Sequence, residues 1–551
     1  MATGQRLWKA GVAISAALSA AGCGERQSCP GCDRLVIAAT GEPPSIFPPL
    51  VGETVGRDIS DQIFERLADL RPGRSPIDSE GYTPRLAERW ERVDSLTWRF
   101  HLRASVTWSD GQPVTAEDVA FSFQAFSDST IDAAARPYLA GRLSALAEDP
   151  TTIRVTFRQP SAEQLYDATY HVRIIPKHVW AGIPRAAWAT DTSLAHLIGS
   201  GPYKLAGWNH GQSLRLEANP RAAQPPRIRQ VVWRFTASPD AALNLVLAGE
   251  ADVLEALGPP DRVARAADDT ALSLVRYPSA AYGFLGYQLI ARDRAGKRAP
   301  SGGPHPLFGD RNVRRALNLA INRSTLATTI FGADSKAPPG PMSQLLWIWD
   351  DSIAVLPFDS SASARLLDQA GWRRRGAGIR ARNGAPLAFD ILVPGTSPTR
   401  KQIAEILQES WRRIGAKVSI TAVDFPVFQQ RLVEGAFDTY VGAWLDEPTP
   451  RGLADQWTRA GWGMLNYGHY ANPVFDSLFT RATSARNVAD ARRAWVDALD
   501  TLNADAPAIF LYAPTNVAAV SRRVRITPID PYSWLAGLSE WRVEAGSKGG
   551  S

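Results

Sequence analysis

The sequence predicts an α/β fold spread over two or three domains. Residues 96–103 alternate between apolar and polar without a break, the pattern of a strand with one buried face. Thr115, with Asp118 three residues later, has the spacing of a capping box and predicts the start of a helix. Residues 403–414 carry an apolar stripe at helical spacing, Gly415 ends that helix, and a strand follows. At 551 residues the chain is too long for a single hydrophobic core.

Other patterns place further elements of the same class in order along the chain. Residues 35–39 form a short apolar run that predicts a buried strand, and the prolines within 41–49 exclude a helix or a central strand there. Residues 58–70 have helical apolar spacing. Residues 275–290 are rich in β-forming residues, and we expect the chain to cross between domains there. The remaining predictions are strands at 153–157, 214–216, 231–235 and 508–512, the last as a return crossover, and helices at 239–247 and 310–323.

The composition is that of a folded globular protein. Apolar residues make up 45% and charged residues 21% of the chain, close to the usual averages. The formal net charge is +6, but acidic and basic residues are interspersed and the arginine runs are short. This pattern is more typical of a solvated surface than of a nucleic-acid-binding face. Most of the 18 tryptophans are expected in cores, with some left to line a binding groove.

The N-terminus has the features of an export and anchoring segment. Arg6 and Lys9 precede a short apolar run that ends in small residues before Cys23, and the run is too short to span a bilayer. This arrangement resembles the lipobox of bacterial lipoproteins. It implies a signal peptide over 1–22, acylation of Cys23 and a lipid-anchored tether over 23–33. We therefore expect an extracytoplasmic protein, in the periplasmic space or on the outer face of the cell membrane.

Cys29 and Cys32 are the only other cysteines. They could form a small disulfide or remain two idle thiols. A zinc site would need further ligands, and a thioredoxin-like redox motif would need a surrounding βαβ pattern. Neither pattern is present in the sequence, so a local disulfide in an oxidising compartment is favoured.

Several motifs resemble those of one protein family. Residues 84–90 read P-x-LAE-x-W, residues 98–103 read W-x-F-x-LR, and residues 106–119 read V-x-W-x-DG-x-P-x-TAEDV. In this order and spacing they resemble the family 5 solute-binding proteins of ABC importers, the oligopeptide, dipeptide and nickel class. The similarity extends over roughly 35–543, with further matching blocks at 174–180, 199–205, 249–253, 310–323, 364–372 and 383–387.

The resemblance implies a two-lobed α/β architecture of the periplasmic-binding-protein type. The two lobes would be joined by two crossover strands, and the first lobe would be enlarged by an extra subdomain. The implied bounds are lobe 1 at 34–275 with the extra subdomain at about 56–172, lobe 2 at 276–505, a return to lobe 1 at 506–545, and a tail at 546–551.

The resemblance also implies a function. Such a protein captures an oligopeptide or a similar solute between closing lobes and delivers it to a membrane permease driven by a separate ATPase. We expect a monomer that binds no nucleic acid and contacts the membrane through its N-terminal lipid. Two alternatives stay open, namely the same fold holding a non-peptide ligand such as a nickel chelate or a sugar, and an extracellular sensor or interaction protein.

An enzymatic function is not indicated by the sequence. It contains no H-E-x-x-H, G-x-S-x-G, P-loop or G-x-G-x-x-G motif in a suitable setting, and no two of its seven histidines have i, i+4 spacing. The Glu117–Asp118 pair is explained by its place in the first turn of a helix. We therefore predict no catalytic residues, no metal site and no cofactor.

The candidate ligand residues come from the resemblance. In peptide-binding relatives an Asp shortly after a Gly-Trp segment pairs with the amino terminus of the peptide, and Ala443, Trp444 and Asp446 lie in the similar stretch here. A carboxylate in a closed cleft would bind an ammonium group well, and an indole offers a flat apolar wall. The spacing from Trp444 to Pro448 is shorter than in those relatives, so a turn carboxylate without a ligand role is the alternative for Asp446. The remaining candidates are Glu42 and Phe47, in the loop expected beside the cleft, and Tyr282, near the crossover.

Overall fold

The computed structural model describes residues 33–291, 303–374, 376 and 378–544. Two large β-sheets with apolar cores on both faces form the body of the molecule. The predictions for the signal peptide, Cys23, Cys29, Cys32 and the tail lie outside the described residues and stay predictions. Among the helices of the described ranges, none is both long enough and apolar enough to cross a membrane.

The first sheet defines lobe 1. Its strands, from edge to edge, are Leu272–Pro278, Thr515–Ser521, Val253–Leu254, Arg34–Thr40, Gln230–Thr236, Ser213–Ala218 and Tyr203–Asn209. The strand Arg34–Thr40 runs parallel to both of its neighbours, and its five central residues are buried. This position between two covered faces explains its continuous apolar sequence.

An antiparallel sheet of four strands forms the extra subdomain of lobe 1. Its order is Ala87–Arg92, Thr97–Leu102, Thr152–Phe157 and Leu143–Asp149, with the helix Ala116–Ser127 packed on it. Phe100 and Leu102 are buried on the inner face, as the alternation predicts, whereas Arg99 pairs with Glu91 and Glu148 on the outer face. The predicted capping box of the helix is confirmed, because the backbone N–H of Thr115 donates to Asp118 Oδ2 at 2.8 Å.

The other elements of lobe 1 are short. Two ribbons pair Ala68–Leu70 with Tyr82–Pro84 and Val524–Arg525 with Arg542–Val543. The remaining α-helices are Thr54–Ile63, Arg136–Leu139, Gln164–Thr169, Lys177–Trp180, Pro239–Leu247 and Pro260–Ala267. The 3-10 helices are Pro48–Leu50, Ser79–Gly81, Arg185–Thr190, Leu194–His196 and Leu538–Glu540.

The second large sheet defines lobe 2. Its strands, from edge to edge, are Lys417–Val423, Ala388–Pro394, Thr439–Leu445, Ala281–Tyr287 and Ala508–Tyr512. The first three strands are parallel to one another. The strand Ala281–Tyr287 runs antiparallel to both of its neighbours, Thr439–Leu445 and Ala508–Tyr512. The α-helices of lobe 2 are Arg311–Leu319, Arg323–Phe331, Ser360–Gln369, Pro398–Arg413, Phe425–Glu434, Leu453–Trp457, Pro473–Ser484 and Val488–Asp505. Smaller elements are the 3-10 helices Pro450–Gly452 and Arg459–Gly461 and the ribbon of Ala381–Arg382 with Ala385–Pro386.

Two crossings join the lobes. The chain leaves the first sheet after Leu272–Pro278 and enters the second at Ala281–Tyr287, within the region predicted for the crossover. The strand Ala508–Tyr512, predicted to be the return crossover, instead pairs with Ala281–Tyr287 inside lobe 2. The return therefore lies just after it, before Thr515–Ser521 of lobe 1, and not near residue 506.

Two predicted helices differ from the observed ones because polar caps interrupt the apolar pattern. The helix expected at 58–70 is Thr54–Ile63, since the Glu53 carboxylate accepts from the backbone N–H groups of the first turn. The helix expected at 310–323 is Arg311–Leu319 and ends earlier than predicted, because the Asn322 side chain accepts from Thr325 N and starts a separate helix at Arg323–Phe331.

Candidate ligand-binding site

A cavity of about 550 Å³ lies between the two lobes. Its lobe 1 wall comes from the helix Thr54–Ile63, from loops before and after it, and from the C-terminal segment at 528–540. Its lobe 2 wall comes from Leu345, Glu447 and Pro448. Cavities of roughly 300–1,000 Å³ are typical of small-molecule sites, so this one can enclose a ligand of that class.

The topology of lobe 2 explains why these residues reach the cavity. The parallel strand Thr439–Leu445 ends toward lobe 1, and residues 446–451 continue across the gap between the lobes. In α/β sheets, ligand sites form outside the carboxyl ends of the parallel strands. The tyrosine hydroxyl of Tyr532, from the C-terminal segment of lobe 1, donates to the Glu447 carbonyl at 3.5 Å and closes the same gap.

Four polar residues, here named the interlobe clamp, hold the lobes together beside the cavity. They are Glu163 and Asp167 of lobe 1 and Thr449 and Arg451 of lobe 2. The Arg451 guanidinium donates to both carboxylate oxygens of Asp167, at 2.5 and 3.0 Å, and forms an ion pair with Glu163. The Thr449 hydroxyl donates to Glu163 Oε2 at 2.6 Å.

The interlobe clamp is largely shielded from solvent. The side chains of Glu163 and Asp167 are only 4% and 11% exposed, and that of Arg451 is 26% exposed. Burial acts to lower the pKa of Arg451, but the hydrogen bonds that it donates to Asp167 and the charge of Glu163 outweigh burial, so the pKa is raised. The Arg451 guanidinium also lies 5.9 Å from the ring centre of Tyr166. Because Arg451 is the counter-charge of two buried carboxylates, its removal would leave both unpaired.

Asp446 and Glu447 occupy different environments although they are adjacent. The Asp446 carboxylate accepts from the backbone N–H of Ser343 at 2.6 Å, and burial raises its pKa to about 7. It is not among the residues that line the cavity. Glu447 does line the cavity, and its carboxylate makes no hydrogen bond or ion pair within the described residues. Burial raises the pKa of Glu447 to about 6, against the opposing charges of Arg451 and Arg57.

The lobe 1 wall is charged but mostly paired within itself. Asp61 accepts from Arg66 and Arg173, and although burial acts to raise its pKa, these two guanidinium groups bring it down to about 2. Asp69 pairs with Arg85 at 2.6 Å. These pairs lie within one lobe, so they shape the wall of the cavity without depending on lobe closure.

The structure does not bring the six sequence-predicted ligand residues together. Glu42 is engaged by the hairpin of lobe 1, where its carboxylate accepts from Trp208 Nε1 at 2.6 Å, His210 Nδ1 at 2.8 Å and Gly211 N at 2.7 Å. Phe47 is 4% exposed and stacks on Trp180 at a centroid distance of 3.9 Å. Neither residue lines this cavity.

The other predicted residues lie in lobe 2 on neighbouring strands. Tyr282 is fully buried and its hydroxyl donates to Gln456 Oε1, so it is a core residue. Trp444 pairs directly with Tyr282 across the antiparallel strands Thr439–Leu445 and Ala281–Tyr287. Its ring stacks on that of Tyr467 at a centroid distance of 6.4 Å. Ala443 is half-buried one position earlier on the same strand. None of these three lines the cavity between the lobes.

Glu447 and Arg451 are the functional candidates that the sequence did not single out. A signal for Glu447 existed, since it is adjacent to Asp446 in the stretch that resembles the peptide binders. Arg451 carried none, because its partner Asp167 lies 284 residues away in the chain. Within the described ranges, the structure also contains no group of three His, Cys, Asp or Glu side chains that could hold a metal ion.

Comparison with known proteins identifies the family. The sequence model of the bacterial extracellular solute-binding proteins, family 5 Middle, matches residues 81–463. The chain belongs to this family. Protein XP55 of Streptomyces lividans, a curated relative, is 29% identical over 447 residues, which cover 81% of this chain and 77% of XP55.

Solved structures of similar proteins share the fold. The oligopeptide-binding protein AppA of Bacillus subtilis, in complex with a nonapeptide, has a TM-score of 0.71 at 22% identity over 93% of this chain and 98% of AppA. NikZ of Campylobacter jejuni, in complex with Ni(L-His), has a TM-score of 0.71 at 20% identity over 93% of this chain and 99% of NikZ. The two-lobed periplasmic-binding-protein fold predicted from the sequence is therefore confirmed.

Proposed function

We propose that this family 5 protein is the receptor of an ABC importer and captures a peptide or a peptide-like solute between its lobes. The observation that carries the proposal is the interlobe cavity, which is lined by charged groups of both signs and flanked by the interlobe clamp. Family membership and the likeness to a peptide-bound fold support it. The captured solute passes to a membrane permease driven by an ATPase, and the receptor itself performs no chemistry on it.

Recognition of the amino terminus falls to the acidic pair of lobe 2. Glu447 faces the cavity without a hydrogen-bonded partner in the described part of the chain, and Asp446 lies directly beside it. A carboxylate in a site closed to water makes charge-assisted hydrogen bonds to an ammonium group, each worth about 1.5–3 kcal/mol. The role that the family resemblance implies for Asp446 thus extends to Glu447, whose carboxylate faces the cavity while that of Asp446 is bonded to Ser343.

The proposal includes the anchoring of the receptor. The basic residues, the short apolar run and the small residues before Cys23 support removal of residues 1–22 and acylation of Cys23. A lipid on Cys23, followed by a tether up to residue 33, would keep the two lobes close to the permease. The short spacing of Cys29 and Cys32 supports a disulfide within that tether.

Calorimetric titration with matched peptides tests the proposal. We expect the wild-type protein to bind a short peptide with a free amino terminus more tightly than its N-acetylated form. Glu447→Gln should reduce that preference, whereas Glu405→Gln, an exposed carboxylate on the helix Pro398–Arg413, should retain it. Native mass spectrometry of the gently purified protein supplies the complementary search for a bound solute. A protein that binds no peptide but carries a metal chelate or a sugar would contradict the peptide assignment.

A further inference from the structure

Arg57 differs from the other basic residues of the cavity. It is half-buried on the helix Thr54–Ile63, and its side chain lines the cavity. Within the described residues its guanidinium makes no hydrogen bond and no ion pair, although its backbone N–H donates to the Glu53 carbonyl at 3.1 Å. A guanidinium carries five N–H donors and stays protonated, so the cavity holds a permanent positive charge without a bonded counter-ion.

The comparison with neighbouring arginines shows that this is not a general property of the wall. Four other lining arginines are tied to the protein, and a fifth, Arg74, is exposed at the rim. The tied residues donate to carboxylates or carbonyls as follows: Arg66 to Asp61 and Asp69, Arg173 to Asp61, Arg85 to Asp69, and Arg71 to the Gly81 carbonyl. Arg57 is therefore the lining guanidinium that is both shielded and unbonded within the described part of the chain.

Glu447 is its counterpart on the opposite lobe. Both residues line one cavity, both lack a bonded partner among the described residues, and they form no ion pair with each other. The charge of Arg57 opposes the rise in the pKa of Glu447, as it does for the carboxyls of Asp58 and Glu255. Withdrawing a charge from water without a partner is costly, so two unpaired opposite charges in one shielded space favour a ligand that carries both signs.

We propose that Arg57 binds the carboxylate of the solute, so that the preferred ligand is a short zwitterion with its carboxylate on lobe 1 and its ammonium group on lobe 2. This assignment rests on the proposed function and narrows it to peptides with both ends free. Arginine pairs with a carboxylate through two parallel hydrogen bonds, which gives direction as well as attraction. A ligand held at both ends bridges the lobes, and binding is thereby coupled to closure.

The positions of Arg57 and Glu447 in one cavity also limit the length of the peptide ligand. An extended peptide spans about 3.3–3.6 Å per residue, and both of its ends must lie inside one cavity of about 550 Å³. Short peptides meet that condition. A long peptide would place at least one terminus outside the reach of Arg57 or Glu447.

A ligand-by-variant cycle tests the assignment. The probes are one short peptide with free ends, its C-terminal amide and its N-acetyl form, each titrated by calorimetry into the wild type, Arg57→Gln and Arg57→Lys. We expect the wild type to prefer the acid over the amide by about ten- to a hundredfold, the value of one charge-assisted bond. Arg57→Gln should lose that preference and keep the preference for a free amine. Arg57→Lys should recover part of it.

Controls separate the outcomes. Arg89→Gln removes an exposed arginine of lobe 1, on the strand Ala87–Arg92, that does not line the cavity, and it should leave the acid-to-amide ratio unchanged. Because the readout is a ratio, a uniform loss of affinity from imperfect folding does not imitate the expected result. An Arg57→Gln protein that loses affinity for acid and amide equally would overturn the assignment while leaving the proposed function intact. A wild-type protein that binds none of the probes would overturn the proposed function, and this inference with it.

Discussion

Replacement of Arg451 by glutamine should weaken ligand binding by destabilising the closed arrangement of the lobes. In the closed arrangement Arg451 neutralises Asp167 and Glu163, whose side chains are 11% and 4% exposed. Removal of one partner from a buried ion pair costs about 3–5 kcal/mol, because the remaining charge is stranded. In an open arrangement both carboxylates can hydrate, so the cost falls on closure and not on the folding of either lobe.

The expected size of the effect follows from this difference. If closure loses about 3 kcal/mol and the ligand binds only the closed form, its dissociation constant should rise about a hundredfold. Isothermal titration with the ligand measures the constant, and small-angle X-ray scattering of the protein with saturating ligand reports the separation of the lobes. Arg486→Gln removes an exposed arginine of the same lobe and should leave both readouts at their wild-type values.

The buried acids provide a second, sharper test. Adding Glu163→Gln and Asp167→Asn to the Arg451→Gln protein removes the stranded charges. Closure should then recover in part, because neutral side chains in the same positions no longer resist burial. An Arg451→Gln protein that binds ligand as tightly as the wild type and scatters identically would refute the view that the clamp contributes to closure. Failure of the added substitutions to restore any affinity would refute the proposed electrostatic cause.

Two further predictions concern stability. A Cβ at Gly283 would lie 2.0 Å from the Tyr512 ring at the crossing between the lobes, so Gly283→Ala should destabilise the protein by about 1–3 kcal/mol and lower its thermal unfolding midpoint. Gly52→Ala is the control, because a Cβ at Gly52 would have nothing within 4 Å, and it should leave the midpoint unchanged. Equal midpoints for the two variants would show that Tyr512 moves aside freely. Burial raises the pKa of Glu65 from 4.5, the value expected in the unfolded chain, to about 7 in the folded protein. The stability that the protonated Glu65 contributes is therefore fully present below pH 4.5 and is lost as the pH rises through about 7. Glu65→Gln should therefore stabilise the protein near pH 8, by about 3 kcal/mol at most, and should change its stability little near pH 4. Thermal unfolding midpoints at the two pH values measure this difference, and a shift of the same size at both would contradict the proposed cause.

Local patterns in the sequence predicted the elements whose causes are themselves local. The strand around Phe100 and the capping box at Thr115 follow from alternation and from a spacing of three residues, and both appear in the structure. The end of the helix at 310–323 was placed a few residues too late, since the polar Asn322 within that span caps the next helix. The return of the chain to lobe 1 was placed too early, because an apolar strand alone does not reveal which sheet it joins.

The site was harder to predict because it depends on contacts between distant segments. Asp446 and Glu447 are chemically alike and adjacent, and only the turn after Leu445 decides that Ser343 engages one of them while the other faces the cavity. Arg57 is one of several helical arginines, and only the packed structure shows that it has no bonded partner among the described residues. Family resemblance pointed to a loop of lobe 2 that reaches the cavity, but the tertiary structure was needed to show which of its residues line it.

The charges around the cavity fall into three groups that act at different stages of binding. Asp61 with Arg66 and Arg173 is paired within lobe 1 and is present whether the lobes are open or closed. The interlobe clamp forms only when the lobes meet. Arg57 and Glu447, by the proposal above, gain partners only from the ligand.

This division makes closure depend on the ligand. If the clamp alone stabilised the closed form strongly, empty lobes would close and exclude the solute. Its net contribution must therefore remain smaller than the cost of withdrawing Arg57 and Glu447 from water without hydrogen-bonded partners. A zwitterion removes that cost at both ends, and a ligand blocked at one end removes only half of it. The clamp and the ligand charges then contribute additively to closure, and Arg451→Gln should reduce the affinity for a doubly charged peptide and for its amide by the same factor, since the clamp touches neither end of the ligand.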